Sequence, residues 1–406
     1  MKIKDIVTFV SKSITPKPGV TYNLYSLPSF DEGKTSEILD GTEIQSNKYD
    51  VPNKCILFNK LNVRFRRVWK VDNYDENKIS STEFLPLVVN ENVVDFQYCY
   101  YLLISDRITN YLCGQNTNTS GSHKRIDPNN FLDIEITLPK MSIQKQIGKT
   151  LSALDRKIEL NKWINDNLEA MAKQLYDYWF VQFDFPNEEG KPYKSSGGAM
   201  VWNEKLKREI PSSFEVVNMG KLCDFRNGIN YSKDETGNDY QIVNVRNISS
   251  SRILLDGEDF DVITVPTSKA GNYVLKPDDI IIARSGCPGS TRLLLSPANT
   301  LFCGFIICCS PNDSRMRNYL VYCLKQLEGT NATTSGGSIL QNVSQDTLKG
   351  LHVIVPEKQI IDKFNKTIEL IFARMLNCLK ESKALTKQRN ELLPLLMNGQ
   401  ASVNSD

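Results

Sequence analysis

The chain has 406 residues, of which 40% are hydrophobic and 24% charged, so it can form two ordinary globular cores and is neither disordered nor fibrous. Its net charge of +2 argues against a protein that coats nucleic acid through a general positive field, because phosphate neutralisation needs a local surplus of Lys and Arg. The sequence has no apolar stretch typical of a signal peptide or membrane span, its 10 cysteines form no C-x-x-C pair and it has 2 histidines, so we expect a cytoplasmic protein with free thiols and no metal site.

The first predicted domain comprises residues 1–140 and is of mixed α/β type. Val51–Phe58 is typical of a turn that enters a buried strand, and Leu132–Leu138 is also strand-like. Between them, Asn116–Arg125 is a polar loop with amides suited to adenine edges, hydroxyls suited to phosphates and a guanidinium, that of Arg125, suited to guanine. Such Ser/Thr/Asn/Gly runs are also common in ordinary surface turns, so the loop alone is weak evidence.

A long helix is predicted for residues 141–185. Its apolar and small residues recur in alternating steps of four and three, which is an a/d heptad pattern. Asn161 and Asn165 fall on this seam, where polar groups lower stability but fix the register of a helix pair. The seam positions are Ile147, Leu151, Leu154, Ile158, Asn161, Asn165, Leu168, Ala172, Leu175 and Trp179.

Residues 186–210 are predicted to be a linker, because they are polar and rich in Gly, Pro and Ser. Just before them, Trp179–Pro186 is unusually aromatic for a segment that leaves a helix. This segment either closes the end of the seam as part of a core or forms part of a partner-binding surface.

A second α/β domain is predicted for residues 211–355, followed by a second long helix over residues 356–400. The two halves repeat at an offset of about 215 residues, far longer than solenoid periods. Thr119–Ser122 corresponds to Thr334–Gly337, and Val51–Phe58 resembles Leu275–Ile282. The second seam comprises Phe364, Ile368, Ile371, Met375, Cys378, Ser382, Leu385, Arg389, Leu392 and Leu396. A repeated frame with divergent inserts indicates one task performed on two different targets.

The two seams most simply pack on each other as an antiparallel coiled coil. A helix of roughly 33 to 40 residues spans about 50 to 60 Å, enough to hold two domains about one DNA turn, roughly 34 to 36 Å, apart. The alternative is that both seams are only the core of a helical bundle.

Local clusters of basic side chains are where this nearly neutral chain can contact DNA. The alternative for each cluster is a solvated surface, which we favour for Lys205, Lys207 and Arg208. The other clusters are Arg64, Arg66, Arg67 and Lys70; His123, Lys124 and Arg125; and Arg284 with Arg292.

Sequence motifs of catalysis are missing. Gly286–Thr291 contains glycines but lacks the lysine of a phosphate-binding loop, and the chain has no amino-methyltransferase motif, glycine-rich cofactor loop or G-x-S-x-G turn. We therefore expect no catalytic residue and no cofactor in this chain. A nuclease built on scattered carboxylates stays open as an alternative.

Several segments resemble the specificity subunits of type I restriction-modification systems. Residues 138–176, including Gln144 and Ser152–Asn161, look like the family's central helix, and Trp179–Phe183 stands where the family has its tryptophan-phenylalanine-valine-aspartate-phenylalanine stretch. The first domain also resembles one recognition-domain type at Leu24–Lys34, Lys60–Arg64, Arg67–Trp69, Ser81–Phe84 and Gly121–Arg125. Two departures, Ile143 in place of an acidic residue and a shortened segment at Pro356–Gln359, leave the helix phase open.

The resemblance implies a non-catalytic reader of DNA sequence. Each domain would read one half of a split, asymmetric duplex target, while the helices would set the gap and dock two methylase subunits. Restriction subunits would join that core, and S-adenosylmethionine, ATP and magnesium would be bound by the partners. The alternatives are a single-chain nuclease or methyltransferase that carries its own recognition domains, and a coiled-coil adaptor that binds protein.

The candidates for DNA contact are polar and basic residues of the predicted loops. Those of the first domain rest on the resemblance and those of the second mostly on loop position. They are Asn62, Arg64, Ser122, His123, Lys124 and Arg125 in the first domain, and Asn244, Arg246, Arg284, Ser285, Ser335 and Gly337 in the second.

Overall fold

The computed structural model describes residues 1–115, 125–232, 234–249, 252–255, 257, 260–328 and 342–402. Their contacts group into two units: unit 1 comprises Met1–Glu159 with Lys383–Asp406, and unit 2 comprises Leu160–Ser382. Both units contain strands and helices, which confirms the mixed α/β class predicted from the sequence. Within the described residues, none of the helices is long and apolar enough to cross a membrane.

Unit 1 is built on two sheets. Its strands are β1 (Val7–Phe9), β2 (Ser13–Ile14), β3 (Thr21–Tyr25), β4 (Glu37–Asp40), β5 (Lys48–Asp50), β6 (Lys54–Asn59), β7 (Val68–Asp72), β8 (Lys78–Ser80) and β9 (Phe84–Val89). One sheet has the order β1-β9-β6-β7 and is antiparallel, and the other has the order β2-β5-β8-β3-β4 with β3 parallel to β8. Strand β6 is buried from Cys55 to Asn59, which confirms the buried strand predicted from the apolar run in Val51–Phe58. The short helices are α1 (Leu27–Asp31), α2 (Phe96–Ile104), α3 (Asp106–Gln115) and α4 (Pro128–Leu132).

The first long helix, α5 (Met141–Tyr176), begins in unit 1 and ends in unit 2. The strands of unit 2 are β10 (Met200–Asn203), β11 (Arg208–Pro211), β12 (Glu215–Asn218), β13 (Cys223–Asn227), β14 (Asn238–Val243), β15 (Leu254–Leu255), β16 (Asp261–Val265), β17 (Ile280–Ala283), β18 (Thr291–Leu294), β19 (Thr300–Phe302), β20 (Ile306–Pro311) and β21 (His352–Val355). The larger sheets have the orders β13-β20-β17-β18-β15 and β16-β14-β19, and β10-β11 and β12-β21 form two-stranded sheets. The helices are α6 (Val245–Ile248), α7 (Thr267–Ala270), α8 (Arg317–Lys325), α9 (Gln345–Gly350) and the second long helix, α10 (Lys358–Met397).

The two long helices form where the heptad pattern predicts them, over 36 and 40 residues. Every predicted seam position is buried or half-buried. In unit 1, Arg389 Nη1 donates to Asp155 Oδ1 at 2.9 Å, and in unit 2, Asn161 Nδ2 donates to Glu381 Oε2 at 2.8 Å. An antiparallel coiled coil along the full length of both helices stays a prediction.

Each unit takes part of its core from both long helices. In unit 1, Ile147 and Leu151 of α5 and Leu393 and Leu396 of α10 are buried in the same apolar cluster as strands β6 and β9. In unit 2 the corresponding cluster includes Ala172 and Tyr176 of α5 and Phe364, Ile368, Phe372 and Met375 of α10. The helices are thus components of the cores and not only connections between them.

The aromatic segment after α5 belongs to the core of unit 2. Trp179, Phe180, Phe183 and Phe185 are all buried there, which confirms the first of the two interpretations of this segment. The ring of Phe185 stacks on Tyr193 with 4.7 Å between centroids.

The segment 186–210 is more structured than its polar composition predicts. Asp184 accepts hydrogen bonds from the backbone N and Oγ of Ser195 at 2.7 and 2.6 Å, and β10 pairs with β11 as an antiparallel hairpin. The polar residues satisfy their own turn while a few apolar side chains, Tyr193, Met200 and Leu206, pack on the core of unit 2, which is why composition alone indicated a linker.

Candidate nucleic-acid interface

Three separate segments of unit 1 meet at one backbone junction, which we call node 1 (Lys60, Glu83 and Ile126). Lys60 follows β6 and Glu83 precedes β9. The backbone N of Lys60 donates to the carbonyl of Glu83 at 2.9 Å, and the N of Ile126 donates to the carbonyl of Lys60 at 3.0 Å. The node therefore brings the loop with Asn62 and Arg64 beside the segment that begins at Arg125.

Unit 2 contains the same junction, which we call node 2 (Arg284, Phe305 and Val343). Arg284 follows β17 and Phe305 precedes β20. The backbone N of Arg284 donates to the carbonyl of Phe305 at 2.8 Å, and the N of Val343 donates to the carbonyl of Arg284 at 2.9 Å. The hydrogen-bond pattern is that of node 1, and it confirms the correspondence between Val51–Phe58 and Leu275–Ile282 that the sequence indicated.

The loop of node 1 between β6 and β7 is held in an unusual conformation. Asn62 and Arg66 have positive φ angles of 51° and 43°, which non-glycine residues rarely adopt. Between them Arg64 and Phe65 are exposed, and the Arg64 guanidinium lies 4.7 Å from the Phe65 ring centroid. Arg67 lies 5.0 Å from the same centroid and is fixed by Asp31 at 2.7 Å. Backbone strain of this kind is common where a loop presents side chains to a ligand.

Arg125 is exposed and held by a carboxylate of its own node. Its Nη2 lies 2.7 Å from Glu83 Oε1, and its Nε donates to the same carboxylate at 3.0 Å. The hydrogen bond and the charge of Glu83 raise the pKa of Arg125, so the planar guanidinium stays charged and oriented. Such a fork suits bidentate contact with a guanine edge or a phosphate.

Two candidates of unit 2, Asn244 and Arg246, are oriented in the same way by Asp261. Asn244 Nδ2 donates to one oxygen of that carboxylate at 2.8 Å and Arg246 Nη2 to the other at 2.5 Å. A Cβ added to Gly286 would lie 3.0 Å from a methyl of Val245, so helix α6 packs against the loop that carries Arg284 and Ser285. The structure thus brings together Asn244, Arg246, Arg284 and Ser285.

The prediction that Arg292 forms a surface cluster with Arg284 is wrong. Its side chain is 1% exposed, pairs with Glu328 and donates to the carbonyl of Thr291 at 2.6 Å. Strand β18 is buried along its whole length, so this arginine is oriented inward toward the end of α8.

Other basic residues also have structural partners. Lys70 lies 4.6 Å from the Tyr100 ring centroid, and burial lowers the pKa of its ammonium. Arg208 donates to the carbonyl of Val181 at 2.6 Å and lies over Phe183. Arg66 pairs with Asp106. Lys70 and Arg208 therefore contribute to packing, and Arg66 is engaged in a surface ion pair.

Five candidates lie outside the described residues: Ser122, His123, Lys124, Ser335 and Gly337. The described chain resumes at Arg125 and at Asn342, directly at the two nodes. Sequence reasoning missed Glu83 and Asp261, which orient the predicted arginines, as well as the exposed Phe65 and Phe305. Phe65 lies among three arginines in the sequence, and this placement could have indicated an exposed ring.

Helix α5 has an exposed apolar face in unit 2. Leu160, Trp163 and Met171 lie at helical spacing on the surface, and 64% of the Trp163 side chain is exposed. The seam residues Asn161 and Asn165 are buried on the other side. One side of this helix therefore serves the unit itself, while the other is available to a partner.

The comparisons with known proteins all indicate the same family. Residues 1–170 and 211–393 match the profile of the type I restriction modification DNA specificity domain. The chain is 25% identical over 422 residues to the type I restriction enzyme HindI specificity subunit of Haemophilus influenzae, covering 87% of this chain and 90% of that protein. It is 24% identical to the MjaIX specificity subunit of Methanocaldococcus jannaschii, over 81% of this chain and 74% of that protein. The crystal structure of the S subunit from M. genitalium shares the fold, with a TM-score of 0.59, 16% identity and coverage of 100% of this chain and 96% of that chain.

Proposed function

Since this chain belongs to the family of type I restriction modification DNA specificity proteins, we propose that its two units each read one half of a bipartite, asymmetric DNA target. The duplicated node is the observation that supports this proposal. It places different polar side chains on the same backbone frame, Asn62, Arg64 and Arg125 in one unit and Arg284 and Ser285 in the other. A shared frame with different side chains is what two readers of different half-sites require.

The chemistry of the candidate residues in each unit suits major-groove reading. Arg125 and Arg246 are exposed, charged and oriented by a neighbouring carboxylate, so each can exchange that carboxylate for a guanine edge or a phosphate. Asn62 and Asn244 offer amides for adenine edges. Because both arginines leave an ion pair on binding DNA, the pairs with Glu83 and Asp261 also disfavour binding to incorrect sequences.

We propose that the chain is the non-catalytic subunit of a restriction and adenine-methylation complex. The exposed face of α5 around Trp163 is the surface on which we expect a methylase subunit to dock, since aromatic and methionine side chains are enriched in protein interfaces. S-adenosylmethionine, ATP and magnesium are expected on the methylase and restriction partners. The missing phosphate-binding and methyltransferase motifs in this sequence support that assignment.

The test is methylation mapping of DNA from cells that carry this chain with its neighbouring methylase. Deletion of the chain should abolish adenine methylation at one split motif. Arg125→Met should relax one half of the motif and Arg246→Met the other, each with about 1 to 3 kcal/mol less discrimination. The matched control is Lys205→Ala, which removes an exposed lysine of the β10–β11 hairpin and should leave the motif unchanged.

Two outcomes would favour the alternatives. An unchanged methylation pattern after deletion, with the methylase still expressed, would support a protein-binding adaptor. Cleavage or methyl transfer by the purified chain alone would support a self-contained enzyme.

A further inference from the structure

Each unit exposes a phenylalanine: Phe65 lies in the loop that follows Lys60 of node 1, and Phe305 belongs to node 2. The Phe65 side chain is 53% exposed in the loop between β6 and β7, and the Phe305 side chain is 63% exposed in the turn before β20. Exposed aromatic rings are unfavourable in water, and a folded domain normally buries them. The two rings come from different loops of the repeat, because the position of Phe305 in node 2 is that of Glu83 in node 1.

The loop around Phe65 is built to hold the ring outward. Its backbone takes a left-handed conformation on both sides of the ring, at Asn62 and Arg66. The guanidiniums of Arg64 and Arg67 lie against the ring at 4.7 and 5.0 Å. The ring therefore lies against two guanidiniums, a setting that suits a polyanion with an apolar element better than an apolar protein surface.

Phe305 is held in position by its own backbone. Its carbonyl accepts the Arg284 N–H at node 2, and the preceding Gly304 lies so close to Asn230 that a Cβ there would be 2.2 Å from Oδ1. A side chain at position 304 would therefore require the Asn230 side chain to move. Arg284, also exposed, follows the neighbouring strand β17 directly. The second ring shares with the first an exposed position beside a cationic residue.

We propose that Phe65 and Phe305 determine specificity, each by packing its ring against the 5-methyl group of a thymine in the half-site that its unit reads. The thymine methyl is the apolar group that the major groove presents, and phenylalanine is one of the side chains that contact it. This inference rests on the proposed function. It adds that sequence reading includes an apolar contact beside the amide and guanidinium contacts.

The test uses the chain assembled with its methylase partner and a duplex that carries the target found by methylation mapping. Each thymine of the target is replaced in turn by deoxyuridine, which removes one methyl group and leaves the hydrogen-bonding edge intact. The Kd is measured by fluorescence anisotropy. For the wild-type complex we expect about a fourfold loss of affinity at one thymine in each half-site, the effect of one buried methyl group.

Phe65→Ala should weaken binding by about four- to fifteenfold and abolish the deoxyuridine effect in one half-site only. Phe305→Ala should do the same in the other half-site, and Phe65→Leu should retain part of the deoxyuridine effect. The control is Tyr74→Ala, which removes an 86% exposed ring. The two rings lie at opposite ends of the β6–β7 hairpin. Phe65 is in the loop beyond the pair Phe58–Val68, and Tyr74 comes just after the pair Lys54–Asp72, so the two residues are about 15 Å apart along the strands.

Two results would overturn the inference alone: wild-type affinity in both alanine variants, or an alanine variant that keeps the full deoxyuridine effect. A wild-type complex that does not prefer its target over a scrambled duplex would overturn the proposed function, and the inference with it.

Discussion

Asp155 joins three helices of unit 1, and its replacement is the sharpest test of how the first recognition unit is attached to the long helices. The carboxylate accepts a hydrogen bond from the Tyr101 hydroxyl of α2 at 2.5 Å and another from Arg389 Nη1 of α10 at 2.9 Å. The side chains of Asp155 and Arg389 are 16% and 29% exposed. Asp155→Ala would leave a mostly buried guanidinium and a buried hydroxyl without this acceptor.

Two hydrogen bonds to a charged group, each worth about 1.5 to 3 kcal/mol, set the upper range of the loss. Because the site is partly exposed, water can replace part of the lost hydrogen bonding. We therefore expect Asp155→Ala to lower the free energy of unfolding of unit 1 by about 3 kcal/mol. In a domain of this size the midpoint of thermal unfolding should fall by about 6 to 12 °C.

The assay is differential scanning calorimetry of Asp155→Ala, Arg389→Ala and the double variant. The double variant should be less destabilised than the sum of the single variants by at least about 1 kcal/mol, because the two side chains form one network. Glu159→Ala, one turn further along α5 and exposed, is the control and should cost less than about 0.5 kcal/mol. A midpoint shift below about 2 °C for Asp155→Ala, or additive single effects, would refute the reasoning.

Three further predictions concern buried groups. Arg292→Met should destabilise unit 2 by about 1.5 to 3 kcal/mol in thermal unfolding, because Glu328 loses the charged hydrogen bond from Arg292 while it keeps Lys325 and the N–H of Thr291 as partners; the DNA sequence preference of the assembled complex should not change. Burial and then the Asp155 hydrogen bond raise the pKa of Tyr101, so the folded state keeps a proton that the unfolded state loses; stability should fall as pH rises above about 10, and Tyr101→Phe should reduce this fall in alkaline denaturation curves. Iodoacetamide at pH 8 should label the exposed Cys113 well before Cys55, whose pKa burial raises to about 12, as peptide mass spectrometry would show.

Much of the fold could be predicted because its signals are local in sequence. The steps of four and three predicted both long helices, since a helix that packs along one side must repeat its apolar residues in that way. The apolar run in Val51–Phe58 predicted a buried strand, and β6 is buried from Cys55 to Asn59.

The details of the candidate site depend on residues that are distant in sequence, and they could not be predicted. Arg125 is oriented by Glu83, and Arg246 by Asp261, and sequence spacing carries no sign of either pair. Arg292 was placed on the surface because it is charged, although the leucines that follow it in β18 indicated a buried strand. Arg292 can be buried because it pairs with Glu328, a contact that is distant in sequence.

The nodes have a consequence for how freely this protein can change. Each is closed by hydrogen bonds between backbone N–H and C=O groups, with no side chain taking part. Proline has no backbone N–H, so it is excluded at the four positions that donate these hydrogen bonds: Lys60, Ile126, Arg284 and Val343. Mutation can therefore alter the side chains that Lys60 and Arg284 present without dismantling the frame, and a lineage can acquire a new preference at either node while the rest of the molecule stays as it is.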